Sequence, residues 1–219
     1  MNISCRIKGS NRIGFTLVEV LMILFVLVVM ILVLLPKVTR GRARSSKINC
    51  VNQLKQVGLA YRTFSLDHND RFPMQVEMTN SGTLEIAEFG PAYRHFQVMS
   101  NELSTPKILL CPTESKRTAA TNFNADLDNF KISYFVGLAA DETHPQMFLS
   151  GDRNLTNGQS NGRRLLDLTT NQPAGWTEAL HNGRGNVGLA DGSVQQFNNS
   201  LLRAAIGKTG DAVNRLALP

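Results

Sequence analysis

Apolar residues run almost without interruption from Phe15 to Leu35. Seventeen of these 21 residues are Leu, Ile, Val or Phe, two are Met, and only Thr16 and Glu19 are polar. A helix over this stretch rises about 1.5 Å per residue and spans roughly 32 Å, the hydrocarbon thickness of a bilayer. The apolar majority favours insertion by roughly 5–10 kcal/mol, whereas one acid near a helix end costs about 3 kcal/mol or less. Residues 15–35 are therefore predicted to form a transmembrane helix. A core helix apolar on every face for six turns would need a much larger domain around it.

The pattern then changes. Ile48, Val51, Leu54, Val57 with Gly58, Tyr61 and Phe64 recur every three or four positions, and Lys47, Asn49, Asn52, Gln53, Lys55, Gln56 and Arg62 fill the remaining faces. This spacing predicts that residues 36–66 continue as an amphipathic helix laid on a folded domain. A continuous helix from Phe15 to Leu66 would be about 78 Å long. Pro36 and Gly41 are the expected points of bending or fraying. The polar run Asp67–Arg71 followed by Phe72-Pro73 ends it.

Residues 67–219 alternate short apolar runs with turn residues, as expected of a small head domain. Ile108–Leu110, Ile132–Leu138 and Gln146–Leu149 read as strands, and Asn154–Arg164 reads as a polar loop with two Asn-Gly steps. Val187–Phe197 reads as a hairpin around Asp191-Gly192, a strong two-residue turn signal. That turn pairs Ala190 with Ser193 and Leu189 with Val194. No internal repeat is evident.

Charge sharpens this division. The net charge is +6. Residues 1–66 hold ten Lys or Arg against one acid, while residues 67–219 hold thirteen against sixteen acids. The head is mildly acidic and lacks the basic cluster that nucleic-acid binding requires. Lys37, Arg40, Arg42, Arg44 and Lys47 lie just after the apolar run, suited to lipid headgroups or to a partner surface. Arg6, Lys8 and Arg12 precede the run, as in a targeting sequence. An ordinary secretory signal peptide fits poorly. The run is too long, no A-x-A-like site follows it, and the small residue Gly14 stands at its start.

Gly14-Phe15-Thr16-Leu17-Val18-Glu19 resembles the processing signal of type IV pilins and type II secretion pseudopilins. The resemblance implies a leader over residues 1–14, cut after Gly14 on the cytoplasmic side by a prepilin peptidase that also methylates the Phe15 amine. It implies that Glu19 pairs with the free amine of a neighbouring subunit's Phe15, and that Pro36 marks a helix bend. Glu19 read alone also fits a carboxylate snorkelling to the interface. Counting basic residues places the head in the cytoplasm, because five follow the span and three precede it. The resemblance places the leader inside and the head in the periplasm, and this orientation is adopted. The implied location is the inner membrane, single-pass, and then a filament. The implied partners are the peptidase, other pilin subunits, an inner-membrane assembly platform and lipid.

A second resemblance covers the C-terminal end. His181 and Asp191-Gly192 are separated by nine intervening residues, as in the H-X9-DG motif of a large prepilin-type group. Residues 50–60 and Cys111-Pro112 resemble the same group. His181 and Asp191 are too few to hold a metal, and the Asp-Gly step also reads simply as a hairpin turn. Cys5 would leave with the leader, so the mature chain keeps Cys50 and Cys111. In an oxidising compartment they form either a disulfide, stabilising by about 4 kcal/mol in the chain-entropy picture, or two buried thiols. Asp141, Glu142, His144 and Asp152 are candidates for a calcium loop, although their spacing matches no familiar one. No other cofactor is implied. Asn154 and Asn198 begin glycosylation sequons. Nucleophile elbows, zinc-protease, C-x-x-C, Walker, Rossmann and EF-hand strings are absent.

The expected fold is α+β and pilin-like, a long N-terminal helix with its second half packed on a small antiparallel sheet. The expected function is that of a structural, non-enzymatic subunit of a type IV pilus-like or type II secretion filament. The alternative is a membrane-anchored periplasmic ligand-binding or enzymatic domain on a pilin-like anchor.

Overall fold

A computed structural model describes residues 14–158 and 164–219, with the backbone but not the side chains described over residues 35–44. The leader expected over residues 1–14 thus lies outside the described residues except for Gly14, as does the centre of the polar loop. The chain divides into two compact units, Met1–Ala43 and Arg44–Pro219.

Helix α1 is assigned over Leu17–Asp67 and stays helical through Pro36 and Gly41. Its start is capped locally. The Glu19 amide donates to Thr16 Oγ1 at 3.3 Å, placing Thr16 at the N-cap and Glu19 three positions on. Thr16-x-x-Glu19 has the capping-box spacing. Leu17–Leu34, with mean hydropathy 3.3, is long and apolar enough to cross a membrane, and none of it is buried within the chain.

In the second unit α1 turns one stripe inward. Cys50, Leu54, Val57, Gly58, Ala60, Tyr61 and Phe64 are buried, while Asn52, Lys55, Gln56 and Arg62 are exposed. Ile48, expected on this stripe, is 52% exposed, and the buried face opens instead at Cys50, two residues further on. Short helices α2 (Tyr93–Gln97) and α3 (Ser100–Leu103) follow.

Six antiparallel strands form the central sheet. They are β1 (Tyr134–Gly137), β2 (Phe148–Asp152), β4 (Leu165–Leu168), β6 (Gly185–Leu189), β7 (Val194–Phe197) and β8 (Asn214–Ala217), in the order β4-β8-β1-β2-β6-β7. Strands β3 (Leu155–Thr156) and β5 (Gly175–Trp176) pair separately. Helix α4 (Asn199–Ile206) is N-capped by Asn198, whose Oδ1 accepts from the Leu201 amide at 2.8 Å. Successive strand residues point to opposite faces. Tyr134, Val136, Leu149 and Ala217 join the α1 stripe in one core, whereas Phe135, Phe148, Leu216, Leu202 and Ile206 make a second core under α4. A sheet covered on both faces explains why its strands read as continuous rather than alternating apolar runs. The architecture is α+β, an apolar N-terminal helix and a small antiparallel sheet.

Four local expectations need correction. Ile108–Leu110 is not a strand, for Pro106–Leu109 forms a 3-10 turn with Pro106 at its start. The proline ring sets a helical φ, and the Ser133 amide, donating to the Leu109 carbonyl at 2.8 Å, ties the segment toward β1. The strand expected at 146–149 is shifted to 148–152. Its polar members find buried partners there: Ser150 donates to the Phe135 carbonyl at 2.8 Å, and Asp152 accepts from Asn186. Within the expected loop 154–164, Leu155–Thr156 is a strand. The hairpin register is displaced by one residue, pairing Gly188 with Val194 and Val187 with Gln195. The Leu189 amide donates to the Ser193 carbonyl at 2.8 Å and the Gly192 amide to the Leu189 carbonyl at 2.9 Å, which closes a three-residue loop with Gly192 at φ +82°. The neighbouring chain causes this, because the Ala190 and Asp191 amides are taken by the Met147 and Pro145 carbonyls.

Candidate functional site

Two regions carry the candidate residues. In the first unit, Phe15 is 74% exposed and every large apolar side chain from Leu17 to Leu34 is at least 44% exposed. Burying such side chains contributes about 1.5–3 kcal/mol each, so this surface needs lipid or protein around it. Glu19, in the first turn of α1, is the one charged group between Phe15 and Leu34.

The second region is a buried polar cluster beneath the α1 stripe. Cys50 and Cys111 are joined as a disulfide with Cα atoms 5.1 Å apart, and both are fully buried. His181 Nε2 lies 3.4 Å from Cys111 Sγ and 3.3 Å from Asp152 Oδ2, with neither the His181 nor the Asp152 side chain exposed. Thr113 Oγ1 lies 2.9 Å from Cys111 Sγ. Asp152 Oδ2 also accepts from the Asn186 amide at 2.7 Å and its Nδ2 at 2.9 Å. Burial pushes the Asp152 carboxyl up to about 7, against the pull of those hydrogen bonds. Burial, and then the positive charge of Lys47, holds His181 below the usual histidine range.

Three devices hold the cluster together. Arg153 pairs with Glu114 at 2.8 Å, and the Glu114 amide donates to the Cys111 carbonyl at 2.9 Å, fixing the Cys111 turn beside β2. Asn154 Nδ2 reaches the carbonyls of Thr177, Leu180 and Arg184 at 2.9–3.0 Å, anchoring the loop that bears His181. His181 and Asn182 both have φ +53°, a left-handed conformation that histidine and asparagine tolerate better than most residues. The Asn154 sequon is therefore engaged in structure, since its amide nitrogen already serves three carbonyls.

His181 and Asp191 stand at opposite ends of β6. Asp191 caps the hairpin turn, accepting from the Ser193 amide at 2.8 Å, while its carbonyl accepts from Arg62 on α1 at 2.8 Å. The structure thus joins His181 to Cys111 and Asp152, a grouping with no short-range signal in the sequence. The calcium candidates do not converge. Asp141 accepts from Thr143 and His144 on its own turn, Glu142 accepts from the Ser65 hydroxyl at 2.5 Å, and Asp152 faces Asn186. The sulfur and nitrogen ligand atoms of Cys50, Cys111 and His181 all lie within 4.8 Å of one another.

An unpartnered apolar N-terminal helix with one acid in its first turn, together with an antiparallel α+β head, defines the class of pilin-like membrane-anchored subunits. The chain belongs to the type IV pilin-like family. It is 32% identical over 72 residues to the competence protein ComGC of Bacillus subtilis, covering 33% of this chain and 74% of that protein. It is 27% identical over 75 residues to the ComG operon protein 3 homolog of Bacillus licheniformis, covering 34% of this chain and 77% of that protein. No protein-family model matches the chain, and no solved structure matches it significantly.

Proposed function

We propose that the chain is a structural subunit of a pilus-like or pseudopilus filament. A prepilin peptidase cuts between Gly14 and Phe15 and methylates the Phe15 amine. The subunit waits in the membrane with its head outside the cytoplasm, and an inner-membrane assembly platform then adds it to the filament through residues 15–35. Glu19 pairs with the Phe15 ammonium of an adjacent subunit, which sets the axial register. Pro36 allows α1 to bend during that transfer, and the Cys50–Cys111 bond clamps the head to the helix it rides on. The name of the Bacillus subtilis relative ties that protein to competence, which supports a filament of that kind alongside the secretion type.

The observation that carries this reading is the exposure of every large apolar side chain from Leu17 to Leu34 around a single early carboxylate. Among neighbouring apolar helices an unpaired carboxylate is costly, and an adjacent ammonium offsets that cost. Glu19→Gln tests it cleanly, because glutamine also suits the capping box and leaves the helix start intact. The variant is expected to insert and to be processed normally, with intact mass showing a chain that starts at Phe15 and carries one methyl group. Sheared filaments are expected to be lost. Wild-type filament yield from the variant, or a chain still carrying its leader in the wild type, would overturn the proposal.

A further inference from the structure

We propose that the outward face of α1 in the second unit docks into a groove on the head of a second copy of this chain. The inference rests on the filament reading above and gives that filament a second contact, away from residues 15–35. The helix supplies a ridge. Ile48, Lys55, Leu59, Arg62 and Leu66 follow one another at helical spacing and share the face opposite the buried stripe. Leu59 is 65% exposed and Leu66 77% exposed, so the ridge alternates bare aliphatic side chains with bases.

The head supplies the groove. A cleft of about 500 Å³ has Leu84, Ala87, Leu138 and Val213 in its apolar lining, with Glu88 and Arg215 also lining it. Leu84 is 47% exposed and Val213 39% exposed, and Phe89, on the turn that follows Glu88, is 81% exposed. None of the residues lining the cleft belongs to α1, so ridge and groove are different surfaces of one molecule. A helix that lays i, i+4 and i+7 anchors into an apolar groove is a common mode of recognition.

Charge selects the occupant. Residues 45–66 carry Lys47, Lys55 and Arg62 and no acid, whereas residues 72–93 carry Glu77, Glu85 and Glu88 and no Lys or Arg. At the groove Arg215 serves two carboxylates, Asp167 at 2.9 Å and Glu88 at 3.3 Å, which leaves that edge acidic. An apolar ridge flanked by bases is thus complementary to an apolar groove edged by acids, and both are present on every copy. Because the two surfaces differ, the contact is heterologous. Repeated without closure it builds an open helical array rather than a dimer, which is the symmetry a filament needs.

The test uses cells making the full chain and the filaments sheared from them. Leu59→Cys and Leu84→Cys are combined in one chain, whose native cysteines are tied up in their disulfide. A short bismaleimide is expected to link these subunits into a covalent ladder, and neither single variant is expected to ladder. Lys55→Glu and Glu88→Lys are each expected to lower filament yield about tenfold, and the double variant to restore it. Thermal midpoints in detergent, read by Trp176 fluorescence, are expected to match wild type and so separate lost docking from lost folding. Filaments that form from the paired cysteine variant without a ladder, or a charge-swapped double variant no better than its single parents, would overturn this contact and leave the filament reading standing. Absence of the wild-type chain from sheared filaments would overturn both.

Discussion

Acid should destabilise the head through His95. Its ring is fully buried, with Nδ1 2.7 Å from Thr83 Oγ1. Thr83 spends its single hydroxyl proton on the Pro73 carbonyl at 2.9 Å. Its oxygen can then only accept from His95, which puts the ring proton on Nδ1. Nε2 keeps a buried lone pair with no partner. Protonating it would place a charged N–H in the core with nothing to receive it, so burial lowers His95 to about 4. In the unfolded chain the ring titrates near 6.5. Between these values the unfolded state binds more protons, so stability is full above about 6.5 and falls as pH drops toward 4. A gap of 2.5 pH units corresponds to about 3 kcal/mol. Asp152, raised to about 7, contributes with opposite sign over much of that range, which makes the wild type alone uninformative. The comparison with His95→Asn isolates the effect, because the asparagine Nδ2 can replace Nδ1 as donor to Thr83 and does not titrate. Urea unfolding of the full chain in detergent, followed by the fluorescence of its single tryptophan, Trp176, reads the head directly. The variant should be less stable at pH 7.5 for lack of ring packing. The gap should shrink by about 3 kcal/mol by pH 4, or about 1–3 M in urea midpoint. Parallel losses in the two proteins from pH 6.5 to 4 would refute the reasoning.

Two further substitutions probe the far face and the cluster loop. A Cβ on Gly185 would run into the six-membered ring of Trp176, so Gly185→Ala should cost about 1–3 kcal/mol by overpacking and shift the tryptophan emission to the red; an unshifted spectrum would contradict the packing. Asn154→Ala strips the carbonyls of Thr177, Leu180 and Arg184 of their shared donor, at about 1–3 kcal/mol for each one left unmade, and hydrogen exchange should rise over residues 177–184 while distant β8 stays protected.

Much of the first unit is legible in the primary structure, because membrane insertion depends on the summed polarity of adjacent residues. Seventeen strongly apolar residues between Phe15 and Leu35 need no tertiary partner to be recognised. The buried stripe from Leu54 to Phe64 is nearly as plain, since helical period alone places those residues on one face. The position of the Asp191-Gly192 turn is also local. Its register is not, for Ala190 and Asp191 give their amides to chain forty-odd residues earlier, and that competition moves every pair by one. Ile108–Leu110 looks like a strand by composition, yet Pro106 starts a 3-10 turn there. The Cys50–Cys111 pair was legible as one of two alternatives, but the approach of Asp152 and His181 to it was hidden. The four come from α1, a turn, a strand end and a left-handed loop, and are brought together by Arg153, Asn154 and Asn186. No periodicity encodes such a meeting. It exists only once the sheet has set the strand ends beside the helix and Asn186 and Thr113 have taken up their places against Asp152 and Cys111.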